Sequence, residues 1–537
     1  MRPNALKREI SKTQLLLISF AAIFGSGWLF SPLYAAQMAG PFALLAWALG
    51  AVISIVIGIT MAEVVVLYPK SGGLSTIAQE THGSFLSLLL TIFNLVVFII
   101  LPAIEVRAVL QYFSSFMKTS FLPSGLGQVG QSGLAFCLLT LVTLVNLYGA
   151  KVTAKITQGV VFFKLMTPVL ICFAFSYTLG FDRMIDSSHL GLAPGEAGAI
   201  PWTQIFQAIA TSGIIFSFNG FNQATLFAGE AKNPQKAIPF AILGSLLISG
   251  LLYFAIQYVF IMAVPTESLA GGWQNLSFPG DDGPFAGLAV ALGLGGILSI
   301  IYLDSVLSPL GTAFTYASAA PRLLFSLTEG STIEIPGLKL NRHGISPAAL
   351  AITLVLECLA FVLLPNLKAM IALLVAAFVL GYTVAPASLL VLRKIRPELP
   401  RPFRVKWAPF FCYLSILFSN LMVFSCGWIA LRNLMVFSGF FLVIYLIFLA
   451  KREIRNDIYS IVKGSGWFLF QIFSLGALSF HQTQSTMDFK TILAWVAFIS
   501  LLALIFATVT RPNPRIRSAP SPRGSTRQVV AQSEGKK

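Results

Sequence analysis

Charge is what this chain has least of. Of 537 residues only 10% are Asp, Glu, Lys or Arg, where a soluble domain carries about a quarter. Histidine is scarcer still, at four, and the five cysteines (Cys137, Cys172, Cys358, Cys412, Cys426) are scattered inside apolar runs with no CxxC. These shortages exclude a metal-ligand set and a disulfide framework, and leave little for acid/base chemistry. There is also no HxxxH, no G-x-S-x-G and no P-loop. Catalytic residues, metal ligands and cofactors are therefore expected to be absent, and the chain reads as no enzyme. A cleavable signal peptide is not called for either. The first apolar run is followed directly by others and lacks a small-residue cleavage site in a polar context.

What the chain has in abundance is apolar sequence. It is 56% hydrophobic with a mean hydropathy of +0.82. Runs of roughly 18 to 30 apolar residues recur from end to end, each long enough to cross a bilayer. About fourteen are expected, centred near Phe24, Ile53, Phe98, Leu141, Leu170, Phe216, Leu251, Asp304, Leu356, Val379, Ile416, Phe441, Leu475 and Leu501. The thirteenth is the weakest, being short and followed by "HQTQSTMD". The expected class is an all-α integral membrane protein.

The net charge of +16 invites a nucleic-acid partner, but its distribution argues against one. Basic clusters fall at the N-terminus (Arg2, Lys7, Arg8, Lys12) and after the even-numbered spans: Lys70, Lys151 and Lys155, Lys232 and Lys236, Arg322, Lys339 and Arg342, "RKIRPELPRPFRVK", and Lys451, Arg452 and Arg455. The opposite loops hold Asp182, Asp186, Glu196, Glu267, Asp281 and Asp282. Positive charge marks cytoplasmic loops, so both termini are expected in the cytoplasm of a cell-membrane protein. The Pro/Ser/Arg-rich tail, 511–537, has no periodicity and is expected to be disordered.

Two spans carry sequence that breaks helices. In "AAIFGSGWLF", residues 21–30, Gly25-Ser26-Gly27 falls where lipid should be deepest. In "IIFSFNGFNQATLFAGE", residues 214–230, Asn219-Gly220 lies among Phe216, Phe218 and Phe221. Backbone groups in hydrocarbon must be satisfied, so such breaks survive only against protein or a water-filled cavity. The two spans lie five apart and run in opposite directions. Paired breaks at equivalent places in two inverted halves point to a midplane binding site of a secondary transporter. Close packing through glycine is the plainer alternative for either alone. Unwinding at Gly25–Gly27 exposes N–H groups at a positive helix end, a seat for a carboxylate. The carbonyls near Ile23 at the end of the first half-helix suit an ammonium group. An amino acid carries both.

At these residues the chain resembles the amino acid–polyamine–organocation superfamily of permeases. The resemblance rests on "IFGSGWLF", on "AEVVVLYPKSGGLSTIA" after span two, and above all on "GEAKNPQKAIPFA" after span six, and covers spans one to ten. Within the superfamily, "IEVRAVLQYF" in span three, "LDSVLSPLGT" in span eight and two spans beyond the usual twelve are similar to the aspartate–proton symporter group. The resemblance implies a five-plus-five inverted-repeat fold with unwound spans one and six. The corresponding boundaries are a cytoplasmic N-terminus 1–12, a first repeat 13–180, a second 200–395, additional spans 408–510 and the tail. It also implies that Ser26 and Gly27 offer N–H groups to a substrate carboxylate, that Ile23 offers a carbonyl to its amine, and that Phe216 gates the substrate. Gly25, Phe218, Asn219 and Gly220 complete the expected binding set.

Ionisable residues within spans are costly and usually functional. Here they are Glu63, Glu105, Arg107, Lys164, Asp304 and Glu357. Lys164 lies about nine residues into span five, too deep to snorkel, and family members place a proposed proton site there. It is the expected proton carrier, the proton being the coupling ion. Glu105 and Arg107 are two residues apart and point to different helix faces. Arg107 would suit an acidic substrate side chain, a structural pair with Asp304 or a headgroup-facing position. Asp304 shares a face with Ser308, four residues on, and serves coupling or pairing. Glu63 and Glu230 are expected to shape the inner gate with Arg322, and Glu357 has no assigned role.

The expected function is proton-coupled import of amino acids, acidic ones among them, by alternating access. Its alternative is an amino acid or amine exchanger on the same scaffold. The phenylalanines around the second break suit a neutral apolar substrate equally well. A channel would show a repeated pore loop; a sensor of transporter-like build stays open as an alternative, although the short tail carries no signalling domain. The partners are then a small amino acid and the lipid bilayer, with the oligomeric state left open.

Overall fold

The computed structural model describes residues 10–68, 73–120, 128–148, 150–186, 200–226, 231–280, 283–329, 339–341, 345–364, 366–451 and 456–509. The tail, Glu230, and the charges Arg2, Lys7, Arg8, Lys70, Glu196, Asp281, Asp282, Arg342, Arg452 and Arg455 lie outside the described residues.

Ser11 opens the first helix with a capping box, its hydroxyl accepting from Gln14 N–H while the Gln14 side chain accepts from Ser11 N–H. That helix, α1 (Lys12–Ile23), gives way after three residues to α2 (Gly27–Ala39). At about 1.5 Å per residue the pair spans the hydrocarbon core only when taken together. The apolar stretch Gly27–Leu67 is 41 residues long, about twice what one crossing needs. Gly40, at φ +56 before Pro41, turns the chain back within it, and α3 (Ala43–Leu67) returns.

There follow α4 (Gly73–His82), α5 (Ser84–Ser120), α6 (Gln128–Asn146) and α7 (Ala150–Ile185). A second interrupted segment holds α8 (Trp202–Thr211), α9 (Ile214–Ser217) and α10 (Gln223–Leu226). Next come α11 (Pro234–Ala263), α12 (Pro284–Ala291), α13 (Gly295–Glu329), α14 (Pro347–Leu363), α15 (Leu367–Tyr382) and α16 (Val384–Ile395). The chain closes with α17 (Ala408–Ser425), α18 (Trp428–Lys451), α19 (Asn456–Gln484) and α20 (Phe489–Val509).

Among the described residues eight helical stretches are long and apolar enough to cross a membrane, with four shorter apolar helices beside them, Lys12–Ile23, Gly130–Asn146, Pro347–Leu363 and Trp428–Val443. All the expected span centres fall on helices except Phe24, which lies in the first break. The thirteenth, α19, is not among the apolar stretches. Lys463, Gln471, His481 and Gln482 dilute it, yet the helix runs through "HQTQ" to Gln484.

The long helices α5 and α13 pack along each other, α11 lies against α1 and α3, and α7 against α13. Large apolar side chains such as Phe173, Tyr177, Phe181, Leu251 and Val436 are exposed on the outside, as expected of lipid-facing surface. α17 rests on α3, α8, α15 and α16, and α19 on α4 and α5. The last helices are therefore packed onto the bundle that contains both breaks.

Glu63, wholly buried on α3, is paired with Arg393 of α16 at 2.7 Å and lies 3.7 Å from Arg401. It also accepts from Val405 N–H at 2.6 Å. This ion pair ties α3 to the α16–α17 connection, a different partnership from the Arg322 contact expected of it.

Candidate functional site

The first break is built for close approach. A Cβ on Gly25 would stand 2.4 Å from Glu105 Oε1, and one on Gly27 would stand 2.2 Å from Ser217 Oγ. The second break is longer than the sequence suggested. Gly213, at φ +96, ends α8, and Gly220, at φ +122, lies in the turn between α9 and α10. A Cβ on Gly220 would meet the backbone of Ala22 at 2.5 Å. The two breaks therefore interlock, Gly27 against Ser217 and Gly220 against Ala22–Ile23. Gly213 was missed in the sequence, although "ATSGIIFSFNG" carries two glycines seven residues apart.

Side chains from three other helices close the exposed backbone ends. Lys164, on α7 and wholly buried, donates to Ala21 O at 3.2 Å, Phe24 O at 2.7 Å and Thr312 Oγ1 at 2.7 Å. It neutralises the negative end of α1. Glu105, on α5 and also wholly buried, accepts from Ser26 N–H at 2.9 Å and so faces the positive end of α2. The hydroxyl of Tyr253, on α11, lies 3.3 Å from Ile23 O and 3.0 Å from Ser217 O, one from each break.

Two of the backbone groups expected to meet substrate are engaged by side chains in this structure. The Ser26 N–H expected to meet a substrate carboxylate holds Glu105, and the Ile23 carbonyl expected to meet an amine holds Tyr253. Gly27 opens α2, so its N–H is among those a helix leaves without an internal partner. Phe216 and Asn219 join Ile23, Gly25, Gly27 and Glu105 around a cavity of only about 10 Å3. That is room for about one water molecule. Asn219 accepts from Tyr382 O–H at 2.8 Å, and its amide nitrogen is buried without a partner. Phe218 is turned away from this cavity, packing edge-on against Trp47 and Tyr253.

Of the remaining candidates, Asp304 and Ser308 are wholly buried on α13, with both Asp304 carboxylate oxygens and the Ser308 hydroxyl unpartnered. Asp304 and Glu105 are both near enough for their charges to act on Lys164. Arg107 is not brought to the site. Its guanidinium donates to Phe361 O and Leu364 O and stacks 4.2 Å from the Phe361 ring. It caps the C-terminal end of α14, because two residues along α5 is more than half a turn from Glu105. Glu357, on α14, is buried with one carboxylate oxygen unpartnered.

Thr312, Tyr316 and Tyr253 were not foreseen, but the sequence held a signal. Asp304, Ser308, Thr312 and Tyr316 repeat every four residues along α13, and Ser245, Ser249, Tyr253 and Gln257 do so along α11. All eight are buried, so each series is a polar stripe on one face of an apolar helix.

The sequence profile of the amino acid permease family matches residues 10–450. The chain belongs to the amino acid permease family. It is 28% identical over 512 residues to the glutamate/serine transporter AimA of Bacillus subtilis, covering 94% of this chain and 93% of that one. It is 31% identical over 460 residues to the aspartate-proton symporter of the same organism, covering 84% and 85%. It is 25% identical over 422 residues to that organism's serine/threonine exchanger SteT, covering 77% and 90%. This permease is thus a helical multi-pass membrane protein and a transporter rather than an enzyme, with an amino acid as substrate and the bilayer as its surroundings. The superfamily resemblance drawn from the G-S-G break and the "GEAKNPQKAIPFA" segment holds.

Proposed function

We propose that this permease imports amino acids together with protons. The observation that carries the reading is Lys164, a buried cation seated on the carbonyl end of the broken span with Glu105 and Asp304 beside it. A protonatable group at that place senses both the helix break and its occupant. The scaffold proposed is the five-plus-five inverted repeat, 13–180 and 200–395, with 408–510 as added spans, residues 1–12 and 511–537 as cytoplasmic ends and the cell membrane as its place. In the cycle a proton neutralises charge near Lys164, on a neighbouring carboxylate, the breaks part to admit substrate, and one bundle rocks against the other.

Aspartate and glutamate are the proposed acidic substrates. This rests on the two relatives named for them, since Arg107 faces α14 and lends no support. Exchange is the second reading, favoured by the likeness to a serine/threonine exchanger.

Uptake into proteoliposomes tests the proposal, with labelled aspartate, glutamate, serine, leucine, arginine and a polyamine offered with and without an inward proton gradient. Gradient-driven aspartate or glutamate uptake that falls at least tenfold in Lys164→Ala supports it. Uptake indifferent to the gradient but dependent on preloaded amino acid makes this an exchanger.

A further inference from the structure

The N–H that should receive a substrate carboxylate already holds one. Glu105 Oε2 accepts from Ser26 N–H at 2.9 Å, while Oε1 is buried without a partner. Oε1 points at the open side of Gly25, where a Cβ would lie 2.4 Å from it. The same carboxylate lines the 10 Å3 cavity with Ile23, Gly27, Phe216 and Asn219. A carboxylate at a helix start is ordinary. One that is held there by Ser26 alone, through its backbone N–H and its side chain, and that lines the small cavity between the breaks with its second oxygen unpartnered, is placed as a stand-in for a ligand.

We propose that Glu105 competes with the substrate α-carboxylate for the Ser26 N–H, and that protonation of Glu105 releases the position to the substrate. This rests on the proton-coupled reading above and names the group through which coupling acts. Ionised, Glu105 fills the positive end of α2 and repels a second carboxylate in a buried site. When one proton from the outer solution comes to rest on it as an O–H, Glu105 becomes neutral and a poor rival for the N–H. The substrate carboxylate then takes the place of the lost negative charge at the start of α2, so proton and substrate enter together.

The groups that act on Glu105 are few. Lys164 on α7 bears on it directly, with Asp304 of α13 acting on Lys164 in turn. Tyr253 on α11 and Tyr316 on α13 lie within its field. On the other elements packed against α5, Lys368 of α15 lies over Tyr34 and His82 of α4 lies against Trp467. Arg107, on α5 itself, faces α14, whose Glu357 interacts with neighbouring Cys358.

The test is calorimetric titration of the purified full chain with L-serine, whose own groups do not titrate between pH 5.5 and 7.5. Runs in two buffers of different ionisation enthalpy count the protons taken up. In the wild type, affinity should rise by up to about tenfold per unit fall in pH, with about one proton taken up per serine bound. Glu105→Gln, neutral at every pH, should bind with pH-independent affinity and take up none. Glu105→Asp keeps the acid but falls short of Ser26 by about one C–C bond, 1.5 Å, so competition predicts a flattened pH slope there too.

A wild-type slope in Glu105→Asp refutes competition, and a wild-type slope in Glu105→Gln removes Glu105 from coupling. In both cases the proton-coupled reading stands if gradient-driven uptake persists. A wild type with pH-independent affinity overturns the inference, and one that also ignores a proton gradient overturns the underlying reading. Either variant carries the test alone if the other fails to elute as a single species.

Discussion

Gly27 and Gly220 are where the smallest chemical change should have the largest effect. Gly220 needs both a left-handed backbone and empty space, whereas Gly83, at φ +99, has nothing within 4 Å of where its Cβ would lie. Gly83→Ala therefore bears only backbone strain, about 1–3 kcal/mol. Gly220→Ala bears that strain and a collision with the Ala22 backbone, so its thermal midpoint should fall further. Equal midpoints would contradict the interlocked breaks. Tyr253→Phe removes one hydroxyl shared between Ile23 O and Ser217 O. A net loss of about 1 kcal/mol corresponds to about a fivefold fall in kcat/KM for uptake, and an unchanged value would make that hydroxyl a bystander.

At the scale of the element, the breaks were legible because glycine and asparagine inside an apolar run have few other reasons to be there. Lys164 was legible because a lysine nine residues into a span has no route to water. The identity of its neighbours was not. Glu105 and Arg107 are two apart, and nothing local says which face of α5 turns inward. The helix rotation is set by packing against α13 and α14, and it placed the carboxylate at the site and the guanidinium on α14. The polar stripes on α11 and α13 show how that rotation becomes readable when a polar residue recurs every fourth position. Glu63 and Arg393 are 330 residues apart and join two elements. Removing Arg393 leaves a buried carboxylate, and breaking such a pair costs about 3–5 kcal/mol, with Arg401 at 3.7 Å lessening it. Arg393→Met should lower the thermal midpoint of the purified protein, and Glu63→Gln in the same chain should restore much of it. A double variant no better than the single would place the effect elsewhere.

For the whole molecule, the C-terminal helices are part of the structure that holds the breaks. α17 rests on α8, directly before Gly213, and α19 reaches α4, where Gly464 packs on the His82 carbonyl and Trp467 on the His82 ring. Asn420, Gln471 and Ser500 link α17, α19 and α20 through buried hydrogen bonds. A chain ended after residue 407 should elute as aggregate, since it bares faces of α3, α8, α15 and α16. A monodisperse, transporting truncation would show those helices to be an appendage.

The central claim is that amino acid and proton enter together. Its most direct measurement is the internal pH of proteoliposomes loaded with a pH-sensitive dye, with no gradient imposed, when glutamate or serine is added outside. Coupled import predicts acidification of the lumen that requires both the amino acid and Lys164. A constant internal pH, with label entering only liposomes preloaded with amino acid, would contradict it.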